Sequence, residues 1–122
     1  MYWKDGFGNN YLNFDNLRSD LKQNQQKLIF AMNGGMYLKD HSPKGFFIEN
    51  GISKKKMNTV QNAYGNFYMQ PNGIFYITQE NEAVVVSLSE YNSSSDIKYT
   101  TQSVPMLLIN GKMHTQFIKG SK

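Results

Sequence analysis

Asn–Gly pairs constrain the fold of this chain more than any other sequence feature. Three of them stand at Asn50-Gly51, Asn72-Gly73 and Asn110-Gly111, and each of these three separates two apolar or alternating runs of residues. Both residue types tolerate a positive φ, which the tight turns of antiparallel hairpins require. These turns predict a meander of short antiparallel strands, and therefore a fold that is mainly β.

The sequence predicts one helix, which follows an aromatic, glycine-punctuated N-terminal segment. Phe14, Leu17 and Leu21 recur at intervals of three and four residues, which is the apolar stripe of an amphipathic helix. Asn13 or Asp15 can accept hydrogen bonds from the free N–H groups of its first turn. One helix packed on a mainly antiparallel sheet makes an α+β fold.

Length and composition bound the class of protein. The chain has 122 residues, 39% of them hydrophobic, without a linker or an internal repeat, so we expect a single domain over residues 1–122. It has no cysteine, and Met1–Asp5 lacks the basic and apolar regions of a secretory signal, so we expect a cytoplasmic protein. No apolar run approaches the roughly 20 residues of a membrane helix, so no membrane partner is expected.

The charge of the chain points to a class of ligand. The net charge of +4 favours small anionic ligands. The dense basic cluster at Lys54-Lys55-Lys56 has no interleaved aromatic residues, and a solvated loop explains it, so nucleic acid is not expected as a partner.

A predicted glycine turn and a polar loop separate two apolar runs of residues. The apolar run Leu28–Met32 ends in Asn33-Gly34-Gly35, a polar loop follows, and a second apolar run begins at Phe46. Apolar runs of this length, bounded by glycine, predict two buried strands. Glycine lets a ligand approach the main chain, so the turn is interpreted either as a tight connection between core strands or as a ligand-facing turn.

The candidates for acid–base chemistry lie in the polar loop. Asp40 is the leading carboxylate, although an Asp in such a loop also serves as a turn residue that bonds its own backbone. His41 can donate to a phosphate or act as a general acid near neutral pH, or be an ordinary loop histidine. The two histidines, His41 and His114, have no short-spaced ligand cluster around them, so neither a metal nor another cofactor is expected.

Uncharged donors form a third group of candidates. Thr100-Thr101-Gln102-Ser103 suits sugar hydroxyls or phosphate oxygens, and ordinary strand-end polarity is the alternative interpretation. Asn58, Thr59 and Asn66 are open to the same two interpretations. The chain has no P-loop, no dinucleotide-binding glycine pattern and no nucleophile elbow.

Several stretches together resemble one known family. They are residues 30–37 (FAMNGGMY), Asp40 with Ser42-Pro43 and Gly45, 48–51, 65–68, 71–77, and 101–103 with 105–107. In combination they resemble the phosphodiester glycosidase family, from about Tyr2 to His114. His41 stands where members usually carry Arg, and Val104 where they usually carry Gly.

The resemblance implies an α+β fold and hydrolysis of a sugar–phosphate diester. It also implies that Asp40 lies near the ligand, and Asp40 and His41 are our candidates for the catalytic residues. The candidate ligand contacts are Asn33, Gly34, Gly35, Met36, Ser42, Asn58, Thr59, Thr101, Gln102 and Ser103. The ligand expected is a small anionic sugar phosphate or nucleotide-like molecule.

The family pattern also extends past both ends of this sequence. We therefore expect a shortened member with open sheet edges and, since proteins cover or pair such edges, a homo-oligomer. Two further functions stay open beside hydrolysis. One is a non-catalytic protein that sequesters its ligand, such as a virus-encoded inhibitor binding a nucleotide signal of host defence. The other is a fragment without a separate function.

Overall fold

The computed structural model describes residues 1–93 and 96–115, and it confirms the predicted α+β fold. Helix α1 precedes a sheet of five antiparallel strands, and a separate two-stranded hairpin follows. The elements are α1 (Phe14–Gln23), β1 (Phe47–Glu49), β2 (Ile52–Lys55), a 3-10 turn (Asn66–Tyr68), β3 (Gly73–Thr78), β4 (Ala83–Ser87), β5 (Ile97–Ser103), β6 (Leu108–Ile109) and β7 (Lys112–Met113). In the part of the chain so described, no helix is long and apolar enough to cross a membrane.

Helix α1 forms where the apolar stripe predicted it. The Asn13 side chain accepts a hydrogen bond from the N–H of Asn16 at 2.9 Å and caps the first turn. Leu17 and Leu21 are buried. The Tyr11 hydroxyl donates to the Asp20 carboxylate at 2.5 Å, which ties the helix to the N-terminal segment. Burial, followed by this hydrogen bond, raises the pKa of Tyr11.

The five strands lie in the order β2-β1-β5-β3-β4. Two hairpins, β1–β2 and β3–β4, thus flank β5, which is the last of the five in sequence, so the strands do not follow one another as in a simple meander. Phe47 and Phe75 are the register partners of Thr101 on either side of β5. Side chains alternate between faces along a strand, so these three lie on one face and Gln102 on the other.

Two of the Asn–Gly pairs make the predicted hairpin turns. Asn50 and Gly51 have φ of 50° and 76°, and Asn110 and Gly111 have φ of 50° and 73°. The prediction was wrong at Asn72-Gly73: Gly73 begins β3, and neither residue has a positive φ. Asn72 is instead buried, and its carbonyl accepts the N–H of Leu88 at 2.8 Å. The residues before it form the 3-10 turn rather than a strand.

The predicted buried strand at Leu28–Met32 is also wrong. This segment belongs to no strand, and its main chain makes no hydrogen bond to any residue that the structure describes. Ile29, Phe30 and Met32 are 91%, 76% and 70% exposed. The apolar pattern is that of a buried strand, but burial requires a neighbouring strand on each edge and a layer above, and the described chain supplies none.

Candidate functional site

A cavity of about 320 Å³ lies between the N-terminal segment, helix α1, the glycine turn and the Thr101 face of the sheet. We call it the glycine-turn cavity. Aromatic side chains form one wall, and the turn, the polar loop and β5 form the other. Its lining includes Trp3, Tyr11, the Asn33–Met36 segment, His41 and Thr101.

The prediction of a tight turn at Asn33–Gly35 was wrong: among the described residues this segment forms no hydrogen-bonded turn, and only Gly35 is at a bend. The segment, for which we keep the name glycine turn, approaches β5 at one residue. A β-carbon on Gly35 would stand 2.7 Å from the Thr101 hydroxyl oxygen and 3.3 Å from the Gln102 carbonyl oxygen. Both distances are shorter than ordinary contacts, so only glycine allows the turn to lie against the strand. A β-carbon on Gly34, by contrast, would have no neighbouring atom within 4 Å. The structure therefore brings two stretches that the sequence singled out, the glycine turn and the Thr101 segment, into direct contact.

The unpaired hydrogen-bond donors around the glycine turn favour an anionic ligand. The N–H groups of Asn33, Gly34 and Gly35 donate to no acceptor among the described residues, and the Thr101 hydroxyl likewise has no hydrogen-bond partner there. Main-chain N–H groups without an internal acceptor are donors whose hydrogen bonds an anionic ligand can accept. No Asp or Glu side chain lines the cavity, so nothing on its described walls repels a phosphate.

The aromatic wall comes from the N-terminal segment, which was not among the predicted site residues. Trp3 packs edge-on against Phe47, with 6.2 Å between ring centroids. Its indole N–H is buried without a hydrogen-bond partner, as is the side-chain oxygen of Asn10. Trp3 is the single tryptophan of the chain and stands in a glycine-punctuated aromatic segment. That composition was the available signal for a ligand-facing wall.

Of the two predicted catalytic residues in the polar loop, one lines the cavity and the other does not. His41 lines the glycine-turn cavity, and its ring stacks on Tyr37 at 5.9 Å between centroids. Asp40 is exposed and does not line the cavity. Its carboxylate accepts the Ser42 hydroxyl at 2.7 Å and the Ser42 N–H at 3.0 Å. These two hydrogen bonds, the hydroxyl's first, hold the pKa of the Asp40 carboxyl below its usual value.

Gln102 and Asn58 lie together on the opposite face of the sheet from Thr101. The Gln102 side-chain oxygen accepts the N–H groups of Phe46 and Asn58, each at 3.0 Å. Its side-chain nitrogen donates to the Asn58 carbonyl at 2.7 Å. Gln102 thus joins two loops to β5 from a fully buried position. Thr59 and Ser103 are exposed and lie outside the cavity. Ligand contacts at Asn58, Thr59, Gln102 and Ser103 stay predictions.

A second and more open cavity, of about 660 Å³, shares Met36 as a lining residue with the glycine-turn cavity. Lys44, Tyr64, Phe67 and Tyr68 line it, and we call it the Lys44 groove. The Lys44 ammonium lies 5.1 Å from the centroid of the Phe67 ring and 4.9 Å from that of Tyr68. Among residues 1–93 and 96–115, no group of three or more His, Cys, Asp or Glu side chains is arranged to hold a metal ion.

Comparison with known proteins gives the family. The family model described as phosphodiester glycosidase matches residues 26–122. The chain is also similar to "Uncharacterized protein YigE" from Escherichia coli (strain K12), at 35% identity over 111 residues, which cover 91% of this chain and 42% of that relative. The chain therefore spans less than half the length of that relative. No solved structure matches. Because the family model covers most of its length, this chain belongs to the phosphodiester glycosidase family.

Proposed function

We propose that this protein binds a small anionic ligand, of the sugar-phosphate or nucleotide-like class, in the glycine-turn cavity. One observation carries the proposal: the unpaired N–H groups of Asn33, Gly34 and Gly35 stand beside a cavity without a lining carboxylate. A phosphate oxygen accepts such N–H groups well, because main-chain dipoles held by the fold need no reorganisation when the anion enters.

The other lining residues suit the uncharged part of such a ligand. Small-molecule cavities combine apolar and aromatic walls with a few polar groups that fix orientation. The Trp3 and Tyr11 rings supply the apolar wall against which the flat face of a sugar packs. The Thr101 hydroxyl and the His41 ring supply donors on the opposite side. The ligand thus lies between the N-terminal segment and β5, with its phosphate at the glycine turn.

Hydrolysis is the first of two candidate outcomes of binding, and membership of the family favours it. Water would add to the anomeric carbon, and the bond from that carbon to the phosphate oxygen would break and release a phosphomonoester. Asp40 is the carboxylate candidate for the base that takes the water proton, because an aspartate is ionised at neutral pH; its lowered pKa makes it a weaker base than an ordinary aspartate. His41 would then return a proton to the leaving oxygen.

Sequestration without cleavage is the second candidate, and a different observation favours it. Asp40 does not line the cavity, and its carboxylate is engaged by Ser42. Glycoside cleavage ordinarily uses a pair of carboxyl groups that flank the scissile bond. A cavity with free N–H donors and no lining carboxylate is better equipped to hold a phosphate than to cut its glycosidic bond.

One experiment tests binding and separates the two outcomes. The protein is incubated with sugar-phosphate diesters and with nucleotides, and the bound and free fractions are analysed by chromatography. Altered product supports hydrolysis, whereas unaltered ligand recovered after heat denaturation supports sequestration. If no phosphorylated compound is retained or altered, the proposed function is wrong.

Two variants sharpen that experiment. Thr101→Val keeps the shape of the side chain but removes its hydroxyl, so it should weaken binding about tenfold or more if the hydroxyl bonds a charged phosphate. Asp40→Asn should abolish turnover and leave binding unchanged. Binding lost in Asp40→Asn, with the fold intact by circular dichroism, would contradict the separation of roles between Asp40 and the cavity.

A further inference from the structure

The Lys44 groove carries charge that nothing around it neutralises. The Lys44 ammonium lies over two aromatic rings and makes neither an ion pair nor a hydrogen bond within the described structure. No Asp or Glu side chain lines the groove. Contact with the rings holds the ammonium in place, because a cation over a ring face is attracted to it. The groove thus presents a positioned, uncompensated positive charge to solvent.

An aromatic ring stands free at the rim of the same groove. Tyr64 is fully exposed, at 103% of its reference area, and contacts no other ring of the described chain. Phe67, by contrast, is buried, and Lys44 covers the Tyr68 ring. Tyr64 is therefore the ring that a planar ligand can stack on, and stacking on an aromatic side chain accepts any nucleobase.

One hairpin joins the groove to the glycine-turn cavity. Met36 lines both cavities, and the N–H of Lys44 donates to the Met36 carbonyl at 3.0 Å. The next pair inward, Tyr37 and Pro43, forms an antiparallel bridge and faces the glycine-turn cavity. The two cavities therefore share Met36 as a common lining residue. A ligand that lies across Met36 reaches the glycine turn and Lys44 together.

We infer that the ligand is a nucleotide with a diphosphate linkage, and that it occupies both cavities. Its base stacks on Tyr64, a phosphate lies at Lys44, and its sugar-phosphate end lies at the glycine turn. This inference rests on the proposed function, because it extends the site assumed there. A simple sugar phosphate fills only the glycine-turn cavity, so the inference distinguishes the two ligand classes that the proposed function leaves together.

Calorimetric titration of the whole chain with two probes tests this inference. ADP-ribose has a base and a diphosphate, and N-acetylglucosamine 1-phosphate has neither. We expect ADP-ribose to bind at least about tenfold more tightly than N-acetylglucosamine 1-phosphate, because stacking of one base on an aromatic side chain contributes about that much affinity. Tyr64→Ala should remove about tenfold of the ADP-ribose affinity and leave the sugar-phosphate affinity unchanged. Tyr64→Phe keeps the ring and should retain the affinity for both.

The outcomes separate the inference from the proposed function. Equal affinities for the two probes, or an ADP-ribose affinity that Tyr64→Ala does not change, would overturn the inference and leave the proposed function standing. Absence of binding by either probe would overturn both. Lys44→Gln adds a second measurement: it should weaken ADP-ribose more than the sugar phosphate, and an equal loss for both would place Lys44 outside a separate subsite.

Discussion

Gly35 lies so close to Thr101 that a β-carbon at residue 35 would stand 2.7 Å from the Thr101 hydroxyl oxygen. The main chain of the glycine turn and the side-chain face of β5 therefore meet without an intervening side chain. The N–H groups of the turn are unpaired within the described structure, and the Thr101 hydroxyl lies next to them on the same wall of the cavity. The proposed phosphate site depends on this approach.

The first prediction concerns the space at the glycine turn. Gly35→Ala should destabilise the fold by about 1–3 kcal/mol, the range for an extra methyl forced into a packed position. Gly34→Ala is the matched control, because nothing lies within 4 Å of its added β-carbon, and it should change stability by less than about 0.5 kcal/mol. Urea unfolding followed by circular dichroism measures both. Equal effects of the two substitutions would show that the contact with Thr101 is not tight.

Gln102 gives the second prediction. Gln102→Leu leaves the buried N–H groups of Phe46 and Asn58 without their acceptor, so it should destabilise the fold by about 3 kcal/mol. Ser103→Ala, at the exposed neighbouring position, should cost less than about 0.5 kcal/mol. The same unfolding experiment applies. If Gln102→Leu is as mild as Ser103→Ala, water replaces the side chain and Gln102 does not join the loops.

Asp40 and Ser42 give a prediction about pH. Because the Ser42 hydroxyl and N–H lower the pKa of Asp40, this pair contributes to stability at neutral pH, and the contribution is lost as pH falls through the folded-state pKa. Ser42→Ala removes the hydroxyl donor, so the pKa of Asp40 should rise toward its ordinary value.

An NMR titration of the Asp40 carboxyl carbon measures this pKa in the wild-type protein and in Ser42→Ala. Ser53→Ala is a suitable control, since Ser53 is exposed in β2 and makes no hydrogen bond to Asp40. An Asp40 pKa that is the same in all three proteins would contradict the contact. In an active enzyme, the acid limb of the kcat/KM profile should move to higher pH in Ser42→Ala.

The exposed apolar segment Leu28–Met32 gives a prediction about assembly. A second copy of the chain is the expected cover for it, so light scattering at micromolar concentration should give a mass above the 14.0 kDa of one chain. Phe30→Asp should shift the mass toward one chain. Phe7→Asp is the control, because Phe7 is 95% exposed at an isolated turn and should leave the mass unchanged. A wild-type mass of 14 kDa would contradict the expected homo-oligomer.

The sequence predicted those parts of the fold that local chemistry decides. Asn13 caps α1, and Asn50-Gly51 and Asn110-Gly111 turn their hairpins, because side-chain oxygens and positive φ act over a few residues. The errors come from long-range pairing. Leu28–Met32 has the pattern of a core strand, yet no described neighbour pairs with it, and the position of β5 between the two hairpins follows from no local signal.

For the candidate site, too, the sequence predicted some parts and missed others. The turn at Gly35 and the strand at Thr101 were both singled out, and the structure brings them together with His41. The polar run around Thr101 did not reveal that Gln102 points to the opposite, fully buried face, because only the loops at Phe46 and Asn58 decide that. Trp3 was missed because its contact with the cavity depends on how the N-terminal segment folds over the sheet.

The most direct test of the proposed site is the ¹H–¹⁵N NMR spectrum of the whole chain during titration with a phosphorylated sugar or nucleotide. We expect saturable shifts that are largest for the amide signals of Asn33, Gly34 and Gly35, accompanied by a shift of the Trp3 indole signal. Gly111, which lies in the β6–β7 hairpin turn, should not shift. An unchanged spectrum, or shifts centred away from the glycine turn, would contradict the proposed site.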